Sequence, residues 1–279
     1  MAVLLALGSA LVYGAADFCG GLASRRATAF LVVALSQAAG LIALLALLPA
    51  VGGSPTRVDL AWGAGAGLAG AGGLVLFYRA LAVGVMSVVA PVTALTAAAV
   101  PVLGGLALGE RLAPWAATGI VLALVAVVLV AAEGGLPTLH AARSAGLLPA
   151  LAAGVGFGVF FVLLHGTQPE STLWPLVAAR SVSVVLVVVL ALAARASLRI
   201  PGRTSVLVVL AGVLDMAANA LFLVATQQGQ LAITGVLASL YPVSTVVLAQ
   251  VVLHERLVRV QLAGLAAAAV AVVLISLPA

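Results

Sequence analysis

The chain has 279 residues, of which 65% are apolar and 7% charged, and its mean hydropathy is +1.35. A soluble domain of this length needs charge to wet its surface whereas a lipid-facing surface needs none, so the composition excludes a soluble globular protein and makes the bilayer the solvent of the fold. The net charge of +5 does not mark a nucleic-acid partner, because every basic residue is an arginine and most of them punctuate apolar runs, which is a topology signal.

Apolar runs of roughly 20 residues bounded by Arg, Pro, Gly or polar clusters predict ten transmembrane helices. In the first half they lie near 3–22, 29–50, 59–82, 86–108 and 113–132. The first run has no basic segment before it and belongs to a repeat, so it reads as a retained helix and not as a cleaved leader. The third carries Gly63, Gly65, Gly67, Ala69 and Gly73, small residues at helical spacings that let backbones approach where lipid gives no hydrophobic drive for association. After a connection from Glu133 to Ala145, the second half follows near 146–165, 172–194, 204–226, 231–253 and 258–277. The fold class is therefore an all-α integral membrane protein. The single cysteine, Cys19, excludes an intramolecular disulfide and any cysteine metal cluster.

The halves repeat. A shift of 145 residues places Leu76, Phe77, Ala80 and Gly84 on Leu221, Phe222, Ala225 and Gly229, and Glu110, Arg111, Leu112 and Gly119 on Glu255, Arg256, Leu257 and Gly264. Apolar matches come cheaply in this composition, but an in-register Glu-Arg-Leu triplet does not. A shift of 144 adds Tyr13 and Gly14 on Phe157 and Gly158. The repeat divides the chain into residues 1–132, a connection at 133–145, and residues 146–279. Five spans per half is an odd number, so the second half enters the membrane inverted, an arrangement that recurs in secondary transporters with the substrate near the midplane.

The sequence Phe77-Tyr78-Arg79-Ala80-Leu81 with Gly84, then Ala90-Pro91, then Leu108-Gly109-Glu110-Arg111-Leu112, resembles the pattern of the drug/metabolite transporter superfamily, EamA type. Ser239-Leu240-Tyr241-Pro242 and Leu253-His254-Glu255-Arg256-Leu257 resemble its second copy. The resemblance covers nearly the whole chain. It implies a ten-helix bundle with a central cavity, proton-coupled or exchange transport of amino-acid-like, sugar-like or drug-like solutes, and a place in the cell's plasma membrane. A monomer working on a small-molecule substrate among membrane lipids, with no nucleic acid, cofactor or metal, is the corresponding expectation. His254 departs from the pattern by standing where the first half has Gly109, so the turn before Glu255 is expected to close differently.

Ionisable side chains at membrane depth are costly, ~2.5–3.5 kcal/mol on insertion scales, so each one is a candidate site. Asp215 is the deepest acid, and Asn219 follows one helical turn later on the same face. The pair reads as a carboxylate able to take up a proton or a cationic substrate, against the plainer reading of a structural hydrogen bond between helices. Asp17 is a second candidate for the same role, or else a polar anchor near the lipid boundary. Arg180 is the natural counter-charge, with Asp17 and Asp215 both open as partners. Tyr13, Gln37, Tyr78, Thr93, Thr96, Ser239 and Tyr241 are candidate cavity-lining groups, each with helix–helix hydrogen bonding as its alternative. Pro91, Pro101 and Pro242 remove backbone donors within the spans and can kink them or bare carbonyls. Glu110 and Glu255 fall at span ends and read as loop-locking residues.

Two other classes compete. Asp17 and Asp215 could form an aspartyl-protease dyad, but Gly14-Ala15-Ala16-Asp17 and Gly212-Val213-Leu214-Asp215 lack the settings of known intramembrane aspartyl proteases. A passive facilitator lacks the ring of repeated charge that a selectivity filter uses. On orientation, loops after the odd-numbered spans hold Arg25, Arg26, Arg143, Arg195, Arg199, Arg203, Arg256 and Arg259, against Arg57 and Arg111 on the other side. The positive-inside rule then puts both termini outside, whereas the resemblance implies both inside.

Overall fold

A computed structural model describes residues 1–83, 86–131, 146–193, 202–254 and 257–277. Among these there are helices and turns and no strand. The first repeat contributes α1 (Ala2–Ser24), α2 (Ala29–Val51), α3 (Arg57–Val83), α4 (Met86–Ala107) and α5 (Pro114–Ala131). The second contributes α6 (Leu147–His165), α7 (Trp174–Ala193), α8 (Gly202–Gln228), α9 (Leu231–Ala238), α10 (Tyr241–Leu253) and α11 (Arg259–Ser276), with a short 3-10 turn at Pro169–Ser171. Nine segments among the described residues are long and apolar enough to cross a membrane, α9 and α10 together forming one of them, and the apolar stretch Trp174–Leu190 of α7 supplies the tenth crossing.

Chain direction alternates at each crossing, so α1, α3, α5, α7 and the α9–α10 span all start on one face, here the proximal face. The other five start on the opposite, distal face. The second repeat is thereby inverted relative to the first. Packing follows the same exchange of halves: α3 packs on α6 and α7 as α8 packs on α1 and α2, and α4 packs on α6 as the broken ninth span packs on α1. α5 packs on its own counterpart α11 at the periphery.

The ninth span is broken at its centre, where sequence alone predicts one continuous helix. Pro242, the second residue of α10, has no N–H to give the carbonyl of Ala238, and the chain turns through Ser239 and Leu240 before α10 begins. Pro91 and Pro101 remain inside a continuous α4, so the two copies of this span differ in form. The His254 substitution has the opposite outcome to the one expected. His254 adopts the left-handed conformation (φ 57°) that Gly109 adopts in the first repeat (φ 87°), so the turn is kept although the glycine is lost.

Candidate functional site

A cavity of about 280 Å³ lies at the middle of the bundle. Every span except α5 and α11 contributes to it, including α2 and α7, which enter through Gln37 and Arg180. The polar strip on α8 forms one wall. Asp215 is the central residue of that helix and Asn219 sits one turn further on. Asn219 donates through Nδ2 to the Asp215 carbonyl at 2.7 Å and to Asp215 Oδ2 at 3.4 Å, which aims its Oδ1 elsewhere. That Oδ1 is buried and has no partner among the described residues.

Arg180 of α7 forms an ion pair and hydrogen bond with Asp215 Oδ2. Of the two acids the sequence leaves open as its partner, the structure selects Asp215. Ser183, one turn beyond Arg180, donates to Gln37 Oε1 across the α2–α7 contact and to the Arg180 carbonyl at 3.1 Å. Asp17 of α1 lines the same cavity, is exposed, and has no ion pair or hydrogen bond among the described residues. The three charged groups together carry a formal charge of −1, with the surplus on Asp17.

An aromatic wall faces these charges. Tyr13 stands 6.4 Å from Phe161 and 6.3 Å from Tyr241, measured between ring centroids, and Phe160 stacks edge-on to Phe161 at 5.7 Å. Phe157 completes the wall. Ser239 and Tyr241 reach the cavity from either side of the break in the ninth span, and Ser239 returns its hydroxyl to the Gly235 carbonyl at 2.7 Å.

Tyr13, Asp17, Gln37, Arg180, Asp215, Asn219, Ser239 and Tyr241 thus come together around one space. Thr93 does not join them. It is buried between α4 and α6 and donates to the Ala150 carbonyl at 3.1 Å, the helix–helix alternative. Thr96 likewise returns its hydroxyl to Val92 within α4. Tyr78 lies in α3, and its side chain is outside the described residues. The sequence reading missed Ser183 and the three phenylalanines. The repeat register contains the signal for much of this: Tyr13 and Asp17 map onto Phe157 and Phe161, and Asp215, Met216 and Asn219 map onto Gly70, Ala71 and Leu74, all of which line the cavity. The cavity is pseudo-symmetric in position and asymmetric in chemistry.

Inverted repeats of five spans around a charged and aromatic cavity at mid-depth define a multi-pass membrane transporter of small solutes. The family model of the EamA-like transporter family matches residues 1–132 and again 144–277, and the chain belongs to that family. Among curated proteins none matches the chain by sequence. A solved structure, described simply as the crystal structure of a protein, superposes with a TM-score of 0.82 over 99% of this chain and 98% of that chain. At 19% identity the likeness concerns the fold alone.

Proposed function

We propose that this protein is a secondary transporter of the plasma membrane that exports a small solute bearing a protonated amine, in exchange for protons, by alternating access. The observation that carries the reading is the unpaired Asp17 carboxylate in a cavity whose other acid, Asp215, is already matched by Arg180. An ammonium group entering the cavity supplies the missing counter-charge. The tyrosine and phenylalanine rings suit an apolar or aromatic body and add cation–π attraction. A proton and an ammonium group compete for the same carboxylate, and that competition is the coupling.

The sequence alone favours Asp215 as the coupling acid because it is deeper. The ion pair to Arg180 moves that role to Asp17 in this proposal and leaves Asp215 to hold Arg180. The aspartyl-enzyme alternative loses support from the same pair, since a proton-sharing dyad needs two carboxylates bonded to each other. The test is uptake into proteoliposomes from a panel of primary amines and neutral analogues, with and without a pH gradient. The unsubstituted protein should concentrate an amine when a gradient is imposed, and Asp17→Asn should lose that accumulation while remaining folded. Normal gradient-driven uptake by Asp17→Asn, with Asp215→Asn inactive, would return the role to Asp215. Preference for neutral solutes would overturn the substrate class.

A further inference from the structure

Glu110 performs a task that cavity chemistry does not explain. It stands just past the end of α4 on the proximal face. Gly109, in its left-handed conformation, turns the chain there, and the Glu110 N–H returns to the Gly105 carbonyl at 2.9 Å. The side chain then crosses to the other repeat. Its two carboxylate oxygens accept the backbone N–H groups of Leu231 and Ala232, the latter at 3.0 Å. Those are the first two residues of α9, whose N–H groups have no partner inside the helix, so the carboxylate satisfies both and also faces the positive end of the helix dipole. Gln230 strengthens the same junction by donating to the Arg111 carbonyl at 3.0 Å. Gly105 makes room for it, because a Cβ at that position would collide with Glu110 Oε2.

This junction lies where the two repeats differ in conformation. α4 and the ninth span are two-fold counterparts and meet each other directly. On the proximal side they are packed, α4 against α9, whereas on the distal side α10 has no comparable packing on α4. The first repeat packs α4 on α5, while in the second α10 has no comparable packing on α11. By contrast, the contacts of α3 with α6 and α7 and of α8 with α1 and α2 are present in both copies at once. Interfaces made in both copies can persist through an exchange of conformation between inverted repeats. The interface made on one side alone is the one that has to open.

We propose that Glu110 is a positioning residue that clamps the proximal face shut, and that release of its carboxylate from Leu231 and Ala232 accompanies every opening of the cavity toward that face. The inference rests on alternating access but not on the identity of the solute, so it is tested with no solute present. The reporter is Leu74→Cys, a cavity-lining position on α3, in a Cys19→Ser background, probed from either side of oriented vesicles with a membrane-impermeant thiol reagent. Glu110→Gln keeps the size of the side chain and removes its charge. Gly105→Ala leaves Glu110 intact and displaces its carboxylate. Loss of two charge-assisted hydrogen bonds should raise the ratio of proximal to distal labelling at least about tenfold in both variants. A folded variant of either kind whose ratio equals that of the parent would show that Glu110 merely stabilises the loop, and a shift toward distal labelling would equally overturn the clamp. Failure of amine uptake with the labelling shift intact would leave the clamp standing and remove the substrate assignment alone.

Discussion

Three charges at the middle of a bundle need an account of what each does for the others. Arg180 is largely buried, with 11% of its side chain exposed, whereas Asp215 is more open at 37%. In a setting between surface and interior, removing one partner of such a pair costs about 1–3 kcal/mol, chiefly because the other charge is left uncompensated. Arg180→Gln should therefore lower the melting temperature in detergent more than the double variant Arg180→Gln/Asp215→Asn, in which no orphaned charge remains at that wall. Additive losses in this cycle would mean that the two side chains do not interact. Asp17 makes a useful contrast. With no partner among the described residues to lose, Asp17→Asn should leave the melting temperature near that of the parent even where it abolishes driven uptake. A residue that matters for transport and not for stability is what an open binding group looks like.

At the level of the helices, small residues decide how closely the repeats approach. Gly67 of α3 lies against the backbone of Ala179 in α7, and its repeat counterpart Gly212 of α8 lies against the backbone of Ser36 in α2. In both places a Cβ would strike a carbonyl oxygen, and a backbone cannot rotate away as a side chain can. Gly67→Ala should cost about 1–3 kcal/mol, the range for overpacking a tight contact. Gly72→Ala, in the same helix with open space around its Cβ, should be neutral or slightly stabilising because alanine is the better helix former. Equal melting temperatures for the two variants would remove close backbone approach as the reason for the glycines. The sequence makes this packing legible, since glycines at four-residue spacing in an apolar span have few other uses. It does not disclose the break in the ninth span. Pro49, Pro91, Pro101 and Pro242 all lie within spans, and which of them interrupts its helix depends on whether the carbonyl left without a donor can be accommodated, a matter of tertiary surroundings.

Across the whole molecule, the features set by the bilayer are those the sequence carries openly. Span number, repeat register and inversion follow from hydropathy and from one charged triplet, because lipid allows few ways to satisfy a backbone. The deep polar residues are conspicuous for the same reason, and most of them converge on the cavity. Their pairing is another matter. The choice of Asp215 over Asp17 by Arg180 depends on the rotation of α1, α7 and α8 about their axes, which spacing along the chain does not specify. Phe157, Phe160 and Phe161 are hidden among apolar neighbours; projecting Tyr13 and Asp17 through the repeat onto the other half brings out Phe157 and Phe161, while Phe160 falls opposite Ala16 and carries no such signal.

Inversion itself has a direct consequence for labelling. Leu108 and Leu253 occupy the same register position, each at the end of the fourth crossing of its repeat, one beside Gly109 and the other beside His254. In a parallel duplication the two would lie on one side of the membrane. In this fold they lie on opposite faces, because five crossings separate them. Single reporters Leu108→Cys and Leu253→Cys, each in the Cys19→Ser background, should thus be modified by an impermeant thiol reagent from opposite sides of sealed, oriented vesicles. Both sites lie at the ends of their helices, and Leu108 is 65% exposed, so access at that position does not require the bundle to open. Modification of both from the same side would mean an even number of crossings between them, and the inverted architecture, together with the exchange of conformation built on it, would have to be given up.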